Sequence, residues 1–87
     1  MDSLKEISNK ISLIKTEKNV CSFLLEILTK SEVETLSKRW RILKMLKEGK
    51  SQREIAKELK VSLCKVTRGA KILKNKNSVI TKILKEN

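Results

Sequence analysis

Histidine, proline and tyrosine are absent from these 87 residues, and acidic side chains are scarce in the second half. Without histidine, neither a Cys–His nucleophile pair nor a mixed zinc site can be assembled within one chain. Cys21 and Cys64 show no metal-binding spacing, so no metal site is expected. No carboxylate pair stands at a recognisable catalytic spacing, which leaves no catalytic constellation and predicts a non-enzyme. Trp40 and Phe23 are the only aromatics, too few for the stacking surface of a single-strand or RNA binder. No apolar run approaches the ~20 residues that span a bilayer, and no membrane partner is expected. Two lone cysteines without a secretory signal indicate a reducing cytoplasm.

The lack of proline, only two glycines, and apolar residues at every third or fourth position predict an all-α chain. Its length allows one small domain, residues 1–87, and oligomerisation is a reasonable way to enlarge so limited a core. Net charge is +11, and it is unevenly spread. Residues 37–85 hold 16 basic and 3 acidic side chains, whereas residues 1–36 hold 5 and 6. The chain is rich in Lys, Ile and Asn together, a bias expected from an AT-rich genome whatever the function. The asymmetry is therefore better evidence for an anionic partner than the total.

The basic half contains SQREIAKELKVSLCKVTRGAKIL, residues 51–73. Ser51 followed by Glu54 forms a capping box, and Ile55, Ala56 and Leu59 make one face of a short helix. Lys60 interrupts the pattern at a turn position that favours a left-handed residue such as glycine. Ser62 offers a second N-cap. Leu63, Val66, Ala70 and Leu73 then recur at helical spacing, with Lys65, Arg68, Lys71 and Lys74 between them. Two short helices, a tight turn and a basic second helix describe a helix-turn-helix at about 51–73. An ordinary helical hairpin with a solvated basic face is the bland alternative. A charged helix free of acids weighs against it.

Elsewhere, Leu4, Ile7, Ile11 and Ile14 form a helical stripe that Asp2 or Ser3 can cap. That stripe packs within the monomer or against a partner chain. KTEKN, 15–19, reads as a polar connection. VCSFLLEIL, 20–28, is apolar almost all round and predicts a helix buried on most sides, in a dimer core. Thr29 and Glu32 form another capping box, opening a helix to about Glu48 with Val33, Leu36, Trp40, Leu43 and Leu46 on its core face. Trp40 is expected to anchor that core, and Gly49 to end the helix. A last helix carries Val79, Ile80, Ile83 and Leu84, capped by Asn77 or Ser78, which makes six in all.

LTKSEVETLSKRWRILKMLKEGK (28–50), SQREIAKEL (51–59) and VTRG (66–69) together resemble the Trp repressor family of bacterial regulators. The resemblance covers about Leu24 to Lys74. SQRE alone is a weak signal, but with TRG at this separation it is fairly specific. It implies a six-helix, intertwined homodimer whose helix-turn-helix heads reach successive major grooves. It also implies a pocket for L-tryptophan as corepressor, with Thr29 and Arg39 on one side and Arg68 and Gly69 on the reading head. Both arginines could contact phosphate instead. Ile72 stands where relatives carry a small polar residue facing the indole nitrogen. The loop before Ser51 is one residue shorter, and Cys64 and Lys65 replace smaller or neutral residues. These departures predict weak or absent tryptophan binding, and they mean that the operator sequence does not carry over from the resemblance.

The expected function is therefore sequence-specific binding of double-stranded DNA by a transcriptional regulator, a repressor. Arg53 is the best candidate for base readout, because a guanidinium can bond bidentately to guanine. Gln52, Leu63, Cys64, Lys65 and Thr67 lie at or near base edges and phosphates, while Lys71 and Lys74 hold phosphates. The alternative keeps the fold but makes it a low-specificity nucleoid or replication-associated protein, bound through backbone charge. Binding of an anionic membrane by the basic face lacks aromatic anchors.

Overall fold

The computed structural model describes residues 2–85, which form six helices and no strand. The order is α1 (Asp2–Ser12), α2 (Glu17–Ile27), α3 (Lys30–Lys47), α4 (Gln52–Leu59), α5 (Leu63–Lys74) and α6 (Val79–Lys85). The chain divides into two compact units, 1–34 and 35–87, with α3 running from one into the other.

In the first unit α1 begins at Asp2 itself and closes through the Leu13 and Ile14 amides onto the Lys10 and Ile11 carbonyls. KTEKN is only half connection: Thr16 accepts from the Asn19 amide at 3.1 Å and caps α2, which has already begun at Glu17. Neither helix contains a buried residue. The expectation that 20–28 is enclosed on most sides is therefore not met within one chain. Val20, Phe23, Leu24 and Leu28 are half-buried, while Leu25 and Ile27 face solvent. An all-round apolar sequence calls for covering surface on more than one side. The Thr29–Glu32 box is formed, with the Glu32 amide 3.1 Å from Thr29 Oγ1 and the Thr29 amide 2.8 Å from Glu32 Oε1.

The second unit is built on the last part of α3. Ile42 and Met45 of α3 meet Ile55 and Leu59 of α4 and Val66 of α5, with Leu46, Ala56 and Val61 at the margin. Ile55 and Val66 are fully buried, each contributing about 1.5–3 kcal/mol by burial. Truncating either to alanine would leave a cavity costing about 2–5 kcal/mol. The expected core face of α3 is thus displaced. Leu43 is buried and Leu46 half-buried as read, but Leu36 and Trp40 are exposed, and Ile42 and Met45 do the packing. Trp40, 40% exposed, is not a core anchor.

Three local devices orient the helix-turn-helix. Gly49, at φ 95°, ends α3: its amide bonds the Leu46 carbonyl and the Lys50 amide reaches Met45, the paired bonds of a Schellman cap. Ser51 and Glu54 form the expected box at the start of α4. Lys60 is left-handed, at φ 55° and ψ 47°, with its amide on Ala56 and Lys57. A lysine there costs roughly 1–2 kcal/mol, which the core beside it offsets. Ser62 then caps α5, and Ser78, not Asn77, accepts from the Thr81 amide at the start of α6.

Candidate nucleic-acid interface

α4 and α5 share a buried seam and leave their polar faces outward. On α5, Val66 and Gly69 are buried and Ala70 and Leu73 half-buried, which occupies one side of the helix. Lys65, Arg68, Lys71 and Lys74 follow at three-residue steps and sweep the other side, all exposed. No acid stands in the first turn of α5, so the positive end of the helix dipole adds to the cationic face. Leu63, Cys64 and Thr67 are exposed on the same helix, and Arg53 is exposed on the second residue of α4. Gln52 is half-buried, and Thr67 Oγ1 donates to its Oε1 at 2.8 Å. The eight residues expected to meet DNA therefore all belong to the two packed helices, six of them on α5.

Glu54 is the acid closest to this face in sequence, and it is engaged locally. The Ser51 amide and hydroxyl hold its carboxyl below the ordinary glutamate range, with the Lys50 charge adding a smaller push. It remains an anion committed to the cap instead of neutralising Arg53 beside it. The single ion pair among the described residues, Lys50 to Glu58 at 3.3 Å, is exposed on both sides and contributes little.

Behind α5 lies a cavity of about 300 Å³. Leu36, Arg39, Trp40, Ile42 and Leu43 line it from α3, and Lys65, Arg68, Gly69 and Ile72 from α5, with Ile80 of α6 at the end. Four of the five residues expected to form an effector pocket, Arg39, Arg68, Gly69 and Ile72, are thus together. The fifth, Thr29, belongs to the first unit, where it caps α3. Gly69 is required by packing as well. A Cβ there would stand 3.1 Å from Ile42 Cγ2 and 3.3 Å from Leu46 Cδ1, so its absence lets α5 cross α3 closely. Sequence reasoning missed Trp40 as a wall of the cavity, although it adjoins Arg39 and lies one turn before Leu43. It also missed that Lys65, seven residues before Ile72 on the same helical face, turns toward the cavity.

No group of His, Cys, Asp and Glu side chains among the described residues could hold a metal ion. No helix among the described residues is long and apolar enough to cross a membrane.

Comparison with known proteins agrees with this arrangement. Two similar curated proteins are each described as a Trp operon repressor homolog, from Xylella fastidiosa strains M23 and Temecula1. Each is 50% identical over 52 residues, 59% of this chain and 56% of the relative. The chain thus matches just over half the length of these relatives. No solved structure matches it at a significant level. The family model described as Trp repressor protein matches residues 2–87. A match of that extent, over a six-helix chain with its capped α4–turn–α5 unit, means that the chain belongs to the Trp repressor family.

Proposed function

We propose that the protein is a transcriptional repressor that binds duplex DNA sequence-specifically, with α5 in the major groove. The observation that carries this reading is the acid-free, exposed side of α5, fixed on α4 by Ile55, Leu59 and Val66. Arg53 supplies base readout, with Gln52, Leu63, Cys64, Lys65 and Thr67 at or near base edges, and Lys71 and Lys74 hold phosphates. The protein works as a homodimer. Support for this comes from the uncovered apolar side chains of α1 and α2, and from Val79 and Ile83 of α6, which are exposed in the single chain. Two heads on one dimer would read half-sites about one helical turn apart.

Selection from random duplexes, followed by competition with bulk DNA, tests the reading. A palindromic consensus that resists a large excess of bulk DNA is expected. Equal competition by bulk DNA would favour the low-specificity alternative, which the charge of residues 37–85 also supports. Sedimentation at micromolar concentration tests the dimer, and a well-folded monomer there would overturn it.

A further inference from the structure

The charges of α4 are sorted by side. Arg53 and Lys57, four residues apart, form one stripe, and Lys60 follows three residues later at the C-cap; all three are exposed. Glu54 and Glu58, also four apart, form another. About 3.6 residues per turn fixes the order around the helix. Ile55 and Leu59 point into the core. Next come Gln52 and Ala56, on the side that meets α5 through the Gln52–Thr67 bond. Arg53 and Lys57 follow, and the two glutamates complete the circle on the side remote from α5.

Both acids are engaged there. Glu54 is held in the cap by Ser51, and Glu58 pairs with Lys50 at 3.3 Å. Lys57 and Lys60 form no ion pair among the described residues. Lys60 is also the one non-glycine among them with positive φ, at 55°. Its capping bonds to the Ala56 and Lys57 carbonyls come from the backbone amide, which a glycine would supply with less strain. What the lysine adds is its charge.

We propose that Lys57 and Lys60 form a further phosphate-binding surface, which carries the cationic face of α5 across α4 and holds the duplex backbone beside the groove. From Arg53 to Lys60 the stripe rises about 10 Å, room for roughly two or three phosphates of one strand. The inference rests on the regulator reading and adds two contacts to it. A cation at Lys60 also favours the dipole of α4, but that local role predicts a loss of stability when the charge is removed.

Lys57→Gln, Lys60→Gly and the double variant are compared with the unmodified full chain, on a selected duplex and on bulk DNA, over a range of salt. Lys44→Gln, at an exposed position on α3, is the control of equal charge. Each single variant on α4 should weaken both DNAs about three- to tenfold and lower the slope of log affinity against log salt by about one, the double variant by about two. Lys44→Gln should change the slope clearly less. Lys60→Gly should at the same time keep or raise the thermal midpoint, because the left-handed strain is relieved. Unchanged slopes in the double variant, an equal change in Lys44→Gln, or a lower midpoint in Lys60→Gly overturns the proposal. Absence of duplex binding by the unmodified protein overturns the regulator reading itself, whereas binding that persists with unchanged slopes overturns the surface on α4 alone.

Discussion

Thr67 Oγ1 donates a hydrogen bond to Gln52 Oε1 at 2.8 Å, joining the middle of α5 to the first residue of α4. The two side chains read separately in the sequence as groups facing DNA, yet in the free protein they face each other. The bond occupies one lone pair of the Gln52 carbonyl and leaves its two N–H donors available. So held, Gln52 presents a donor to phosphate or a base acceptor, and is poorly placed for the bidentate reading of adenine, which also uses the carbonyl.

Thr67→Val keeps the shape and removes the donor. Because Thr67 is exposed, the loss of stability should be small, about 0.5–1 kcal/mol in denaturant unfolding. The larger effect should appear in DNA selection, where the freed Gln52 shifts preference at one base pair. Thr67→Ser retains the hydroxyl and should behave like the unmodified protein. Equal disturbance by both substitutions would mean that the methyl contact, not the bond, matters.

Gly69→Ala sets two effects against each other. Replacing a mid-helix glycine should gain roughly 1 kcal/mol of helix propensity. The new Cβ, however, stands 3.1 Å from Ile42 Cγ2 and 3.3 Å from Leu46 Cδ1, and Ile42 is itself buried. Overpacking of this kind costs about 1–3 kcal/mol, so a net loss near 1 kcal/mol is expected. Gly69→Val should lose clearly more. Thermal unfolding measures both, and a stabilised alanine variant would show that α3 and α5 can separate slightly at no cost.

The capped ends were legible because caps are local. Ser51 with Glu54, Thr29 with Glu32, and Ser62 each satisfy amides three residues away, and sequence spacing alone specifies them. The left-handed turn at Lys60 was legible for the same reason, through the break in apolar spacing. The burying face of α3 was not. Its apolar residues form two overlapping stripes, Leu36–Trp40–Leu43 and Ile42–Met45–Leu46, and periodicity cannot say which meets α4 and α5. The second does, and the first becomes a cavity wall, with Ile42 shared between core and cavity. In α2 the sequence showed how much apolar surface exists, but not where its covering surface comes from. Of the candidate pocket, the arginines and Gly69 came through resemblance. Trp40 and Lys65 emerged only once the helices were packed.

Arg53 and Lys74 should fail in different ways when truncated. Arg53→Ala removes a guanidinium from the start of α4 and should relax discrimination at one base pair by roughly 1–3 kcal/mol. Lys74→Ala should weaken all duplexes about equally and flatten the dependence of affinity on salt, as loss of one phosphate contact does. Binding isotherms on matched and singly mismatched duplexes, over a range of salt, separate the two. A uniform loss across sequences in Arg53→Ala would remove its readout role.

Ile72 decides how the cavity treats tryptophan. It lines the space together with Arg39, Arg68 and Gly69, and its side chain has no atom to accept from an indole N–H. A buried donor left unpaired costs about 1–3 kcal/mol, roughly ten- to a hundredfold in affinity. Any overlap of the isoleucine with the ring adds to that. The unmodified protein should therefore bind tryptophan weakly or not at all, and its affinity for DNA should be the same with and without it. Ile72→Ser introduces a hydroxyl acceptor and makes room, so it should raise tryptophan affinity, by no more than the same ten- to a hundredfold. Calorimetry is the suitable measurement, because Trp40 fluorescence would be masked by the ligand. Sub-millimolar tryptophan binding by the unmodified protein, accompanied by tighter DNA binding, would show that Ile72 does not exclude it.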